Sequence, residues 1–141
     1  MSPMKNGDIA WIRALVGAIV AEGVQIACVF AWVAIYSHLL NPGQQLDHYQ
    51  AYAQQSAPWV AVIAGFPIFY AASRWIARVR SSALALFGFF LLLDVGLTAL
   101  SGVPLEELPL GFFAASYLTK LAACYWGGSD GQRTRATAHT R

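Results

Sequence analysis

Eight polar side chains sit within or at the edge of apolar stretches of this chain: Glu22, Gln25, Tyr70, Arg74, Asp94, Thr98, Tyr117 and Lys120. Two acids and two bases in such surroundings could relay a proton, hold a cation, or pair with one another and fix how helices meet. An ionised side chain at the centre of a bilayer costs about 2.5–3.5 kcal/mol on insertion scales, so each needs a partner or a use. In the functional reading Glu22 and Asp94 take up a proton or cation in a polar path or small pocket. Gln25, Tyr70, Thr98, Ser116 and Tyr117 then supply hydrogen bonds around them. In the structural reading the charges form ion pairs that set helix register, and Arg74 is shallow enough to reach the interface as an anchor.

Depth decides who can pair. At 1.5 Å per residue Glu22 lies about 14 Å from the arginine-rich boundary, Lys120 about 9 Å and Arg74 about 6 Å. The long basic side chains can close those gaps, so Glu22 is expected to pair with Lys120, with Arg74 as a further partner. Asp94 lies about 10 Å in from the opposite boundary and is the acid expected to lack a strong partner.

The elements that must place these groups are four apolar stretches. The first, residues 11–40, is long enough as a helix to cross a bilayer core of about 30 Å. It exceeds the 7–15 residue core of a signal peptide by about twofold and contains Glu22, so it reads as a permanent span. Asp8 is the expected N-cap, and Asn41-Pro42-Gly43 the expected stop. Within it Gly23, Ala27 and Ala31 form a small-residue ridge suited to close helix packing, and Glu22, Gln25, Val29, Trp32 and Tyr36 share a neighbouring stripe. Residues 44–56 read as a short amphipathic helix on the membrane surface. The second span, 57–77, opens at Pro58 and carries a ridge of Ala57, Ala61 and Gly65, with Pro67 near its middle. The third is 83–100 and the fourth 110–126, ended by Gly127-Gly128. Residues 1–128 thus form one membrane domain, and the polar, basic residues 129–141 are expected to be a disordered cytoplasmic tail.

Composition agrees. The 141 residues are 57% hydrophobic and 11% charged, with a mean hydropathy of +0.50, whereas an average soluble domain is about 25% charged. The net charge of +2 is spread along the chain, so nucleic acid is not an expected partner. Lys5, Arg13, Arg74, Arg78, Arg80, Arg133, Arg135 and Arg141 all flank one face, while the two opposite loops hold no Lys or Arg. The positive-inside rule then places both termini in the cytoplasm.

Other chemistries find little footing. His38 and His48 lie toward the outer face with Asp47, Glu106 and Glu107, a weak setting for an external metal because no spacing fixes a ligand set. His38 is the sole histidine in a span, too few for a bis-histidine haem, and no cofactor is expected. Ser116 and Cys124 have no histidine in reach to form a nucleophilic pair, and no glycine-rich phosphate loop is present. Cys28 and Cys124 sit in apolar stretches and suggest neither a disulfide nor a metal site.

The segment Gly17-Ala18-Ile19-Val20-Ala21-Glu22 resembles, over that stretch alone, the first helix of small multidrug resistance transporters. Those are four-span proteins with a proton-coupled glutamate at this place, and the resemblance implies that an acid at this depth can serve transport. The longer first span, the intramembrane Asp94 and Lys120 and the one-sided charge depart from that pattern, and no membership is claimed.

The sequence therefore predicts an all-α, four-helix membrane bundle of the inner-membrane type, with lipid as its surroundings and a second copy or another membrane protein as its partner. The leading functional expectation is ion- or proton-coupled transport of a small molecule through the charged cluster. The alternatives are a non-catalytic subunit or scaffold whose charges dock helices, and an enzyme acting on a lipid or quinone with groups such as His38, His48 and Glu106.

Overall fold

The computed structural model describes residues 9–100, 102 and 110–138. Over these residues the chain is helical apart from its short connections, without a strand. Helix α1, Trp11–Ile35, continues as a π-helical turn, Tyr36–Leu40; α2, Leu46–Ala72, continues as another, Ser73–Ala77; α3 is Arg80–Leu100 and α4 is Leu110–Ala138. Three stretches, Trp11–Leu40, Leu46–Ala77 and Arg80–Leu100, are long and apolar enough to cross a membrane.

Both α1 and α4 pack against α2 and α3, so α1 and α4 stand at opposite corners of the bundle. Side chains are distributed inside out relative to a water-soluble bundle. Ile12, Phe30, Leu92 and Leu118 point outward, whereas Glu22, Gln25, Ser56, Ser73, Ser82, Ser116 and Lys120 are buried. The apolar core between them is built on Ala14, Ala18 and Ala21 of α1, Phe69 of α2, and Leu86 and Phe90 of α3.

Small residues set the helix contacts, but on different faces from those expected. Gly23, Ala27 and Ala31 are exposed, and a Cβ added to Gly23 meets nothing within 4 Å. The buried stripe is Ala14, Gly17, Ala18, Ala21, Glu22 and Gln25, with the Leu86 side chain seated against Gly17. Two faces of α1 carry small residues, and the one that also carries the acid turns inward, because an outward carboxylate would cost more than the other stripe could return in packing. The polar stripe through Val29, Trp32 and Tyr36 does face inward, half-buried.

The expected surface helix is instead the first part of α2, continuous through Pro58. One proline removes one N–H from the ladder, and packing holds the rest: the Tyr36 and Tyr52 rings stack at 3.5 Å, Trp32 meets Trp59 edge to face at 5.2 Å, and Trp32 Nε1 donates to the Tyr52 hydroxyl at 3.1 Å. A second correction concerns α4. Gly127 and Gly128 do not end it, and residues 129–138 of the expected tail are helical. These glycines serve close approach. A Cβ on Gly127 would lie 2.5 Å from the Tyr70 carbonyl oxygen, one on Gly128 2.8 Å from Arg80 Cα, and one on Gly131 2.8 Å from the Arg78 carbonyl oxygen.

Between α2 and α3 Arg78 adopts a left-handed φ of 64°, and its N–H bonds the Ser73 carbonyl at 2.8 Å, closing the π turn. Helix α3 then begins at Arg80, three residues before the expected start. Its Ser82 Oγ accepts the Ala10 N–H at 2.9 Å and so tethers the start of α1. The expected cap, Asp8, lies outside the described residues, as do Glu106, Glu107 and residues 139–141.

Candidate functional site

The helical repeat brings polar groups from three helices to one level. On α1, Glu22 and Gln25 extend the inward face begun by Ala14, Ala18 and Ala21. On α3, Asp94 follows Leu86 and Phe90 at four-residue steps. On α4, Ser116, Tyr117 and Lys120 share a face with Ala123 and Gly127. Helix α2 contributes absence of bulk: the expected ridge of Ala57, Ala61 and Gly65 faces α4, and a Cβ on Gly65 would lie 2.8 Å from Lys120 Cε.

Here the bundle holds a cavity of about 170 Å³, whose polar lining is Gln25, Asp94, Ser116, Tyr117 and Lys120, with Phe112 and Phe113 at one side. The Tyr117 hydroxyl donates to Asp94 Oδ2 at 2.6 Å. Lys120 is 1% exposed, and its Nζ lies 4.2 Å from the Phe90 ring centre and 5.3 Å from that of Phe69. Glu22 is 8% exposed; its Oε2 and the Oε1 of Gln25 are buried without a hydrogen-bond partner among the described residues. Glu22, Asp94 and Lys120 are close enough for each to feel the others' charge.

The pairing differs from the sequence expectation. No ion pair joins Lys120 to Glu22 among the described residues, and Asp94, expected to lack a strong partner, has the shortest side-chain hydrogen bond of the cluster. The reason is reach: Gly65 lets the lysine stem lie flat against α2, which aims its ammonium at the aromatic corner. An unpartnered buried acceptor costs about 1–3 kcal/mol, so the Glu22 and Gln25 oxygens are the atoms that a proton, a cation or water would satisfy.

No protein family, curated protein or solved structure matches the chain. The functional reading therefore stands on this geometry.

Of the other expected residues, Tyr70 and Arg74 form a second cluster toward the arginine-rich end. Arg74 Nη1 donates to the Tyr70 hydroxyl at 3.2 Å, and that hydroxyl donates to Asp130 Oδ2 at 2.6 Å. Thr98 is one turn beyond Asp94 on α3, outside the cavity lining. His38 is exposed, and His48 Nε2 meets Tyr36 and Asn41 in the polar cluster that joins α1 to α2. Among the described residues no group of three or more His, Cys, Asp or Glu gathers as a metal would require.

Three contributors escaped the sequence reading. Phe69 and Phe90 look like ordinary packing residues until the fold sets a lysine between them. Asp130 falls in the segment read as a tail, yet the spacing Lys120, Ala123, Gly127, Gly131 is a helical face that could have extended α4.

Proposed function

We propose that this chain is a multi-pass protein of the inner-membrane type, with all four helices crossing the bilayer and both ends cytoplasmic, and that it moves protons or small ions through the site shared by Glu22, Asp94 and Lys120. The membrane part is supported by three apolar helices, an apolar exterior with the charged Glu22 and Lys120 buried inside, and the placement of Arg13, Arg74, Arg78, Arg80 and Arg133 toward one end of the bundle. Helix α4 is the least apolar of the four because it carries Lys120 inward and ends in the polar stretch from Ser129 to Ala138, and it crosses as part of the bundle.

One observation carries the transport part: a Gln25 oxygen that is buried without a hydrogen-bond partner among the described residues lines a cavity with Asp94 and Lys120, and Glu22, likewise unpartnered at Oε2, lies one helical turn before Gln25 on the same inward face of α1. Cavity size chooses the cargo. Drug-sized ligands occupy sites of about 300–1,000 Å³, whereas about 170 Å³ suits a few waters and an ion. A titratable acid facing such a space can exchange a proton with water on one side and release it on the other.

The test is proton flux into phosphatidylethanolamine–phosphatidylglycerol vesicles that hold purified protein and a trapped pH-sensitive dye. Wild type is expected to collapse an imposed gradient faster than empty vesicles. Glu22→Gln and Asp94→Asn are expected to fall to the empty-vesicle rate with unchanged helical circular dichroism. Wild type no faster than empty vesicles sinks the reading.

The exposed stripe of Gly23, Ala27 and Ala31 favours a second reading, in which the chain is a non-catalytic subunit that docks another membrane helix. Cysteine cross-linking at Ala27 in native membranes would trap such a neighbour.

A further inference from the structure

At the arginine-rich end a groove of about 480 Å³ lies between α2 and α4, lined by Arg74, Trp75, Arg78, Gly131 and Thr134. An apolar groove of about 380 Å³ runs between α1 and α2 past Val20, Val24, Pro67 and Ala71. Trp75 lines both, and its indole is 69% exposed. One aromatic side chain therefore borders both a dicationic recess and an apolar groove, at a helix end.

The two arginines are oriented for an anion. Arg78 Nε donates to the Trp75 carbonyl at 2.9 Å, and Arg74 engages one Nη with the Tyr70 hydroxyl. A guanidinium carries five N–H donors in a planar fork, so these bonds hold each head at the groove they line and leave donors over for a ligand. Asp130 accepts from the Tyr70 hydroxyl, and Arg74 meets that acid through an intervening oxygen.

We propose that this composite groove binds an anionic phospholipid, its phosphate between Arg74 and Arg78, its glycerol region against Trp75 and one acyl chain along the apolar groove. Charge complementarity selects the headgroup, since basic pockets between helices on the cytoplasmic side suit anionic lipids and exposed Arg133 adds to the local field. Adjacency of the two grooves across Trp75 selects a lipid over a free anion, which has no use for the apolar half. The inference rests on the membrane reading above and goes beyond it in naming a ligand.

The full chain, extracted in dodecylmaltoside, is titrated with phosphatidylglycerol, phosphatidylcholine or inorganic phosphate and read by native mass spectrometry. Phosphatidylglycerol is expected to be retained over phosphatidylcholine, and Arg78→Gly to weaken its retention about tenfold, the scale of losing one charge-assisted contact. Glycine adopts the left-handed backbone at this position freely, so that variant removes the guanidinium and keeps the fold. Arg78→Lys should restore part of the binding. Equal retention of the two lipids, or no change in Arg78→Gly, overturns the site; inorganic phosphate competing as well as the lipid overturns the acyl-chain half. Failure of the membrane reading shows separately, as recovery of the chain in the soluble fraction before detergent is added.

Discussion

The Lys120 ammonium rests 4.2 Å from the centre of the Phe90 ring, in the corner that Phe90 makes with Phe69, whose rings meet edge to face at 4.6 Å. A desolvated cation–π contact is worth about 2 kcal/mol. That hold is weaker than a close buried ion pair, so the lysine keeps room to respond when the charge at Glu22 or Asp94 changes.

Replacing Lys120 separates its structural role from its chemical one. Lys120→Met keeps the long stem and removes the charge. Removing one charge from a buried, mutually interacting set leaves the others uncompensated, at a cost of about 3–5 kcal/mol; here the acids Glu22 and Asp94 lose their neighbouring cation. Thermal unfolding in detergent should therefore show a lower midpoint, restored in part by adding Glu22→Gln, while proton flux in vesicles falls to background. A lower midpoint with flux intact would reverse the assignment.

The Tyr117–Asp94 hydrogen bond joins α4 to α3. Tyr117→Phe deletes the donor and leaves a buried-side acceptor, at a cost of about 1–3 kcal/mol. Asp94→Asn combined with Tyr117→Phe should cost less than the sum of the single changes, because the two groups share one interaction. Additive losses in detergent unfolding curves would mean that the 2.6 Å contact contributes nothing.

Glycine positions should divide sharply. Gly127→Ala drives a methyl against the Tyr70 carbonyl and is expected to lose about 1–3 kcal/mol. Gly23→Ala meets open space and should be neutral or gain up to about 1 kcal/mol from helix propensity. A large loss at Gly23 would reveal a neighbour on that face and support the docking reading.

The end of the α1–α2 hairpin away from the arginine-rich end depends on Tyr52. Tyr52→Ala removes both the stack on Tyr36 and the acceptor for Trp32 Nε1. Hydrogen exchange over residues 46–56 should quicken while residues 60–72 stay protected. Uniform exchange along all of α2 would show that the aromatic stack does not hold that turn.

How far the chain could be read in advance varies with the physics at each point. Helix number and the inward polar stripe through Glu22, Gln25 and Trp32 were legible because periodicity and apolar length report them directly. The packing face of α1 was not, since two small-residue stripes compete and only the cost of exposing Glu22 decides between them. Gly127-Gly128 misled for a related reason: glycine stops a helix in water, but where another backbone lies against it the same residue permits the contact. Glu22, Gln25, Asp94, Tyr117 and Lys120 were candidates because each is a polar residue in an apolar stretch, but depth grouped Glu22 and Lys120 with Arg74 and set Asp94 apart, whereas Asp94 lies with Tyr117 and Lys120. The pairing was not legible, because it depends on the room that Gly65 leaves for a lysine stem.

The contacts of Gly127, Gly128 and Gly131 have a mechanical consequence. Backbone meets backbone there, and backbone has no rotamers with which to give way. That end of the bundle is a rivet. The cavity lies toward the other end, where Phe112 and Phe113 of α4 face Ala57 and Pro58 of α2, so the two helices are built like tongs, held at the rivet and free to part at the jaws.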